Sequence, residues 1–333
     1  MTEVKFLQIE PTTRCNYTCG FCVGRTMHQT DLPLAISDAV FRAFPTLQAV
    51  ELQGEGEPLL NRNFFRIAEG AAGAGASISM ITNGSLLSDE RVERILSLPI
   101  ERVGVSLESP DAARFKTIRG GAFGKVLEGI ARLRDARNAS GRRRPVIGLN
   151  VTVLKSTLAE AEDIIALYRS LGLDGGIWFQ GLQDQQTYVS AYTPLMVSEM
   201  LSADETGKVE ALRKRFDEDD TIDKSGRDVG FYPRLFEDLW SGPPTCPWLV
   251  QGGYISAEGD FMPCCHVKDV RWSFGRVGKD PAPGIVARRN AMAGALRDGD
   301  IPEPCANCWV LDFLRPAHTA TVAHGDASLG AIV

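Results

Sequence analysis

Six short apolar segments alternate with segments of helical periodicity through the first half of this 333-residue chain. The apolar segments predict strands at 5–11, 47–53, 77–85, 102–109, 145–155 and 176–183. Helices are predicted at 37–44, 61–72, 88–98, 123–137 and 157–171, the first capped by Ser37 and the third by Ser88. This alternation predicts a parallel α/β fold, either a barrel or a doubly wound sheet.

The unusual residues of this half come directly after predicted strands. A cysteine-rich loop follows the first strand, GEGEP follows the second, and TNG and SLES end the third and fourth. In parallel α/β folds, ligands bind at the carboxyl ends of the strands. We therefore expect the four motifs to meet at one edge of the sheet.

The composition is that of an ordinary soluble protein. Apolar residues make up 44% and charged residues 23%, and the formal net charge is −6. This balance gives no indication of nucleic-acid or membrane-surface binding. The sequence has no signal-peptide pattern and no apolar run of membrane-spanning length. We expect a cytoplasmic protein whose eight cysteines stay reduced and serve metal binding or catalysis.

Three of these cysteines lie in the loop after the first strand. Cys15, Cys19 and Cys22 follow a Cys-x3-Cys-x2-Cys pattern, and the nearest further candidate ligand is His28. A structural zinc site usually takes four protein ligands. Three thiolates, by contrast, can hold three irons of a four-iron cube and leave the fourth iron open. The pattern predicts an iron–sulfur cluster with chemistry at its open iron.

The segment CNYTCGFC resembles the cysteine motif of the radical S-adenosylmethionine (radical SAM) superfamily, with Phe21 before the last cysteine. GEGEP resembles the superfamily's Gly-Gly-Glu motif, with Gly56 and Glu57 as the matching pair. Relatives usually carry Gly-Gly-Glu where this chain carries Gly-Glu-Gly-Glu, so either Glu55 or Glu57 could face the cofactor. The resemblance covers about residues 5–182 and implies a partial (β/α)6 TIM-like barrel.

The resemblance also implies cofactors and their contacts. A [4Fe–4S] cluster on the three cysteines would bind S-adenosylmethionine (SAM), whose reductive cleavage gives a 5′-deoxyadenosyl radical that removes hydrogen from an unactivated C–H. Glu57 would contact the SAM ammonium, and the Phe21 backbone would lie against the adenine. Ser106 and Arg119 would lie near the carboxylate or the ribose. Further implied contacts are Gly56, Asn83 and Glu108.

A second cysteine-rich region lies between Cys246 and Cys308, around a predicted hairpin that turns at 258–260. Cys246, Cys264, Cys305 and Cys308 resemble the ligands of the auxiliary-cluster subdomain called twitch, the shorter relative of SPASM. The resemblance implies a small α+β subdomain with a second [4Fe–4S] cluster on four cysteines, which would transfer electrons or shape the site. A structural zinc ribbon fits the same four cysteines.

One cysteine, Cys265, is left over beside a cluster ligand. It is either a small buried side chain in a tight hairpin or a catalytic hydrogen-atom donor, since a thiol S–H is weak enough to quench a carbon radical. Some radical SAM epimerases are similar in using a cysteine in this way.

These inferences divide the chain into four parts. Residues 1–183 form the radical SAM barrel, 184–244 a connecting and substrate-shaping segment, 245–315 the auxiliary subdomain, and 316–333 a flexible tail. Candidate substrate contacts between residues 180 and 192 are Gln180, Gln183, Asp184, Gln186, Tyr188 and Tyr192.

The predicted function is net oxidation or epimerisation of a natural-product precursor. The auxiliary cluster would accept an electron, or Cys265 would donate hydrogen. The substrate would be a small molecule or a short peptide, with an external reductant such as flavodoxin or ferredoxin. The first strand begins by about residue 5, which leaves no room for an N-terminal peptide-binding domain. A peptide maturase that forms a crosslink or a D-residue, a two-cluster electron carrier and a zinc-stabilised binding module remain alternatives.

Overall fold

The strands form one sheet in the computed structural model, which describes residues 3–241, 246–306 and 308. The strands are β1 Phe6–Ile9, β2 Ala49–Leu52, β3 Ser77–Thr82, β4 Ile100–Ser106, β5 Val146–Val153, β6 Ile177–Gly181, β7 Tyr254–Ile255 and β8 Phe261–Met262. The α-helices are α1 Leu34–Ala43, α2 Phe64–Gly73, α3 Asp89–Ser97, α4 Ala112–Arg119, α5 Phe123–Ala139, α6 Ala161–Ser170, α7 Gln186–Val189, α8 Pro194–Ser198, α9 Ala203–Glu218, α10 Phe231–Ser241, α11 Pro247–Val250 and α12 Ala282–Arg297.

The sheet order is β6-β5-β4-β3-β2-β1-β7-β8, and every pair is parallel except the hairpin β7–β8. The first six strands therefore follow one another in space as in sequence, with helices between them. This arrangement is the partial (β/α)6 barrel that the sequence resemblance implies, and it differs from a doubly wound sheet, whose strand order reverses at a switch point.

The two faces of the barrel sheet differ in chemistry. Side chains such as Leu7, Val50 and Met80 join the main apolar core with the helices. The alternate positions of the same strands are largely polar and include Gln8, Glu51, Ser79, Arg102 and Asn150. Because side chains alternate across a strand, this pattern gives the barrel an apolar exterior and a polar interior.

Helix α10 fills part of the polar interior. The Phe231 backbone N–H donates to Ser79 Oγ at 3.2 Å. The Tyr232 hydroxyl lies 3.1 Å from Gln8 Oε1 and 3.0 Å from Gln53 Oε1. The Tyr232 ring lies 6.3 Å from that of Trp178, centroid to centroid. Tyr232 and Trp178 therefore line part of the barrel interior.

The auxiliary hairpin continues the barrel sheet. Its strand β7 pairs in parallel with β1, with Gln8 opposite Tyr254 and Ile9 opposite Ile255. The predicted turn is confirmed, with Gly259 at its tip in a left-handed conformation (φ 92°). The second cysteine region is therefore joined to the edge of the barrel where the first cysteine loop begins.

Some local predictions need correction. The first helix begins at Leu34 after Pro33, so Ser37 is a buried helical residue and not the N-cap. Ser88 does cap α3, since its side chain accepts from the Arg91 N–H. Helices α4, α7, α8, α10, α11 and α12 were not predicted from the sequence. The predicted tail at 316–333 lies outside the described residues.

Among the residues that the structure describes, none of the helices has the length and apolar character that a membrane crossing requires.

Candidate functional site

The loop after β1 brings the first three thiols together. The Cys22 N–H donates to the Cys19 carbonyl at 3.1 Å, and the Tyr17 N–H donates to Cys15 Sγ at 3.4 Å. Cys19 is buried, Cys22 is half-buried and Cys15 is exposed. The loop therefore presents three thiols on one short turn at the carboxyl end of the barrel.

The end of α4 holds this loop from one side. The Thr18 N–H donates to the Arg119 carbonyl at 2.9 Å, and the Gly20 N–H donates to the Ile118 carbonyl at 3.1 Å. Gly121 permits this close approach, because a Cβ there would lie 2.1 Å from the Tyr17 ring. The loop conformation thus depends on the glycine pair that ends α4.

The segment after β6 holds the loop from the other side. Arg25 donates to the Ala191 carbonyl at 2.5 Å, and the Thr193 N–H donates to the Gly20 carbonyl at 3.1 Å. Tyr192, one of the predicted substrate contacts, is buried, and its hydroxyl donates to the Gln183 carbonyl at 2.8 Å. Residues 184–198 therefore cover the thiol loop.

Burial raises the pKa of all three thiols, that of Cys19 to about 11. For Cys22, the neighbouring Glu55 carboxylate and the other two thiols raise the pKa further. Thiolates are the ligands of iron–sulfur clusters, so cluster binding must release protons here.

Gly56 and Glu57, the motif pair, fix the end of β2. A Cβ at Gly56 would lie 2.4 Å from the Thr12 carbonyl oxygen and 2.5 Å from that of Arg14, so only glycine fits. The buried Glu57 carboxylate accepts from Thr82 Oγ1 at 2.7 Å, from the Asn83 N–H at 2.7 Å and from the Leu59 N–H at 3.2 Å. Glu57 thus joins the end of β2 to the end of β3, and its N–H donates to the Arg14 carbonyl at the start of the thiol loop.

Asn83 and Phe21 both lie against this loop. The Asn83 side-chain amide donates to Asn16 Oδ1 at 2.9 Å and lies 3.9 Å from Cys15 Sγ. Phe21 packs half-buried between the main core and a smaller cluster around Ile118. Their contacts with SAM stay predictions.

Glu108 and Arg119 form a buried ion pair. Arg119 Nη2 donates to Glu108 Oε1 at 2.6 Å, and its Nε donates to the other carboxylate oxygen. The two side chains are 9% and 1% exposed. Burial alone would lower the pKa of Arg119, but Glu108 and the nearby thiols raise it. The pair lies close to Cys19: burial raises the pKa of that thiol, Arg119 lowers it and Glu108 raises it. Ser106 lies half-buried at the end of β4.

Glu55, the other acid of the GEGEP motif, faces the auxiliary hairpin. Its Oε1 accepts from Lys268 Nζ at 2.8 Å, and its Oε2 lies 3.6 Å from Cys22 Sγ. The Tyr188 hydroxyl is 3.3 Å from both Glu55 Oε1 and the Cys265 carbonyl oxygen. Sequence reasoning predicted Tyr188 as a site residue but missed Lys268, which carries no local pattern and whose partner is distant in sequence.

The four remaining predicted ligands also converge. Burial raises the pKa of Cys246, and the nearby thiols of Cys264, Cys308 and Cys305 raise it further. The Cys308 N–H donates to the Cys305 carbonyl at 3.0 Å. In the described part of the chain, no three His, Cys, Asp or Glu side chains are placed to hold a single metal ion.

Cys265 and His266 follow the hairpin directly. Burial and the neighbouring Cys264 raise the pKa of Cys265, so its S–H stays protonated at neutral pH. Burial lowers the pKa of His266 to about 4, and its buried Nδ1 has no hydrogen-bond partner. Asn150 Oδ1 inside the barrel is likewise buried without a partner. A bound water or a polar ligand would satisfy buried atoms of this kind.

The donor chemistry fits the implied cofactors. Three thiols in one loop match the ligands of a cluster with an open iron, and four convergent thiols match a fully ligated one. Cys15, Cys19 and Cys22 would hold the first cluster, and Cys246, Cys264, Cys305 and Cys308 the second. Lys268, Glu55 and Tyr188 lie between the two sets.

The chain resembles known protein families and curated proteins in sequence. A sequence profile of the Radical SAM superfamily matches residues 9–168, and the SPASM profile, an iron–sulfur cluster-binding domain, matches residues 246–309. The GTP 3′,8-cyclase of Rhizobium etli is 33% identical over 185 residues, covering 51% of this chain and 50% of that protein. The tungsten-containing aldehyde ferredoxin oxidoreductase cofactor-modifying protein of Pyrococcus furiosus is 29% identical over 178 residues, covering 51% of this chain and 50% of that protein. The chain thus spans about half the length of these relatives.

Solved structures show the same fold. The anSMEcpe structure with bound AdoMet and the Cp18Cys peptide has a TM-score of 0.66 at 16% identity, covering 93% of this chain and 87% of that one. Streptococcus suis SuiB bound to S-adenosylmethionine has a TM-score of 0.60 at 14% identity, covering 86% of this chain and 68% of that one. The profiles and the fold together imply a SAM-binding [4Fe–4S] cluster and an auxiliary cluster. By these two domains the chain belongs to the radical SAM superfamily, with a SPASM/twitch-type iron–sulfur domain after the barrel.

Proposed function

We propose that this radical SAM protein inverts a C–H stereocentre of a small polar substrate, with Cys265 as the hydrogen-atom donor. The observation that carries the proposal is the place of Cys265. This thiol belongs to no predicted cluster, stays protonated, and lies beside Tyr188 and Lys268, between the thiol loop and the auxiliary thiols. A hydrogen-atom donor needs an intact S–H held near the substrate radical, and the buried, protonated thiol of Cys265 supports the first of these conditions.

When bound, the first cluster and SAM supply a carbon radical that removes a hydrogen atom from the substrate. Cys265 then gives the hydrogen atom of its S–H to the opposite face of the substrate radical, forming a new C–H bond. The thiyl left on Cys265 returns to a thiol by taking up one electron and one proton. An external reductant such as flavodoxin or ferredoxin would supply the electron.

Net oxidation is the second candidate. Cys264, a predicted ligand of the auxiliary cluster, is adjacent to Cys265, so an electron would have a short path from the substrate radical to that cluster. The proton would leave to a base or to water. Both outcomes use the same first half of the reaction and differ in whether hydrogen returns to the substrate.

The polar interior favours a neutral, hydrogen-bonding substrate. Asn150 is half-buried on the inward face, and the Trp178 indole N–H donates to Gln180 Oε1 at 3.1 Å. Two cations next to this face in the described part of the chain are already engaged: Lys268 pairs with Glu55, and Arg102 Nη1 donates to the Gly175 carbonyl at 2.6 Å. A triphosphate such as that of GTP needs several available cations.

A short peptide is an alternative substrate, since backbone amides also hydrogen-bond without charge. Two neighbours in fold were solved with peptides, SuiB with its precursor peptide SuiA and anSMEcpe with Cp18Cys. At 14–16% identity, these two structures support the fold of this chain and the order of its domains. They do not identify its substrate. Crosslink formation or a D-residue in a peptide would follow from the same radical.

The proposal is tested first by incubating the reconstituted protein with SAM and dithionite. We expect 5′-deoxyadenosine, whereas an electron carrier or a zinc protein would form none. Candidate substrates are then turned over in D2O by the wild type and by Cys265→Ala. An epimerase incorporates solvent deuterium at the inverted carbon, and the variant keeps forming 5′-deoxyadenosine without inverted product. Normal inverted product from Cys265→Ala would refute the donor role, and an unsaturated or carbonyl product would favour net oxidation.

A further inference from the structure

Two buried carboxylates connect the carboxyl ends of β1 and β2 to the auxiliary region. Glu10 is fully buried, and its Oε1 accepts from the Glu55 N–H at 2.8 Å while its Oε2 accepts from the Ala257 N–H at 3.1 Å. Gly54 makes room for this contact, because a Cβ there would lie 2.4 Å from Glu10 Oε1. Glu10 thus anchors the hairpin turn to the barrel through backbone contacts.

The Glu55 side chain makes a second connection, further along the same segment. Lys268 Nζ lies 2.8 Å from Glu55 Oε1, 3.4 Å from the Tyr254 hydroxyl and 4.7 Å from the centroid of the Tyr254 ring. The Lys268 and Glu55 side chains are 8% and 14% exposed. This largely buried ion pair joins the GEGEP segment to the residues that follow Cys265.

The charges of this pair stabilise each other. Burial alone would lower the pKa of Lys268, but Glu55 and Tyr188 raise it well above its usual value. Removing either charge leaves the other buried without its counter-charge, which is costly.

We propose that Glu55 and Lys268 are a positioning pair that holds the segment carrying Cys265 against the loop carrying Cys22. Glu55 reaches both elements, since its Oε1 pairs with Lys268 at 2.8 Å and its Oε2 lies 3.6 Å from Cys22 Sγ. Tyr188 completes it, since its hydroxyl meets both Glu55 and the Cys265 carbonyl. The catalytic consequence, a fixed distance between the hydrogen donor and the radical, rests on the proposed function.

The test measures the accessibility of Cys265 in the protein with both clusters bound. Seven of the eight cysteines are predicted ligands, which leaves Cys265 as the free thiol. We compare its labelling rate by a fluorescent maleimide in the wild type and in Lys268→Met, with the labelled residue identified by mass spectrometry. Because the loosened segment opens more often, we expect labelling about tenfold faster in the variant.

Three further variants accompany Lys268→Met: a control at an exposed ion pair, a conservative replacement that keeps the charge, and a double variant that removes both charges. Arg276→Met removes an ion pair with Asp260 on the same hairpin, where Arg276 is 32% exposed, and should change labelling less than about twofold. Lys268→Arg keeps the charge and should label close to the wild-type rate. Glu55→Gln with Lys268→Met removes both charges at once, so no unpaired buried charge remains, and it should label as fast as Lys268→Met.

Wild-type labelling rates in both Lys268→Met and the double variant, at unchanged iron content, would overturn the positioning role. If Lys268→Met alone fails to retain iron, the labelling rate of Cys265 in the double variant tests the positioning role instead. The labelling involves no radical chemistry, so this result is independent of the Cys265→Ala experiment in D2O: either proposal can fail while the other stands.

Discussion

The buried ion pair between Glu108 and Arg119 allows a quantitative test of how the thiol loop is supported. Arg119 binds both carboxylate oxygens of Glu108, and its carbonyl accepts from the loop at Thr18. Glu108→Gln removes the negative charge while keeping the shape, which leaves a buried guanidinium without its counter-charge. Breaking a buried pair in this way costs about 3–5 kcal/mol. At roughly 2 °C per kcal/mol for a chain of this size, the melting temperature should fall by about 6–10 °C.

The assay is anaerobic thermal unfolding at one scan rate, with the cluster absorbance recorded in parallel. Asp31→Asn is the matched control, because Arg14 and Asp31 also form a close pair, at 2.6 Å, but their side chains are 44% and 30% exposed. Its cost should be about 0–1 kcal/mol. A Glu108→Gln protein that melts within about 1 °C of the control would refute the claim that this pair supports the loop.

Two further substitutions test the barrel and the motif. Burial raises the pKa of Glu51 to about 8, so the folded protein holds the proton of this carboxyl more tightly than the unfolded chain does. The wild-type free energy of unfolding is therefore highest below pH ~4.5. It falls by about 1.4 kcal/mol per pH unit as the pH rises to ~8. Glu51→Gln should therefore gain on the wild type in melting temperature between pH 6 and 8, and equal pH slopes would contradict this. Gly56→Ala places a methyl group against two backbone carbonyls, and we expect loss of the first cluster, measured as iron per chain; full iron occupancy would show that the loop can shift.

Local sequence patterns predicted the barrel well because its strands are apolar on the face that meets the helices. The fifth strand, predicted at 145–155, is found at Val146–Val153. Helix α4 was missed although Asp111 caps its start and Gly120 ends it, because its apolar residues do not form a clear stripe. The start of α1 was misplaced because Pro33 begins it without a side-chain cap.

The site was predictable where its residues are close in sequence. The first set of thiols is predicted from its spacing, the second set is implied by the resemblance to the twitch subdomain, and Tyr188 is predicted from its place after the sixth strand. Lys268 and Glu10 were not predictable, because their roles arise from contacts between β1, β2 and the hairpin that no local pattern encodes. The parallel pairing of β7 with β1 could not be predicted from the sequence either, because β7 has only two residues.

The central claim is that three thiols hold a cluster whose open iron binds SAM. Its most direct test uses Cys305→Ala with Cys308→Ala, which removes two predicted ligands of the auxiliary cluster and should leave about four irons per chain. The paramagnetic resonance spectrum of this reduced protein is recorded with and without SAM. We predict that SAM shifts the g-values of the remaining cluster. A spectrum that saturating SAM leaves unchanged would contradict the account.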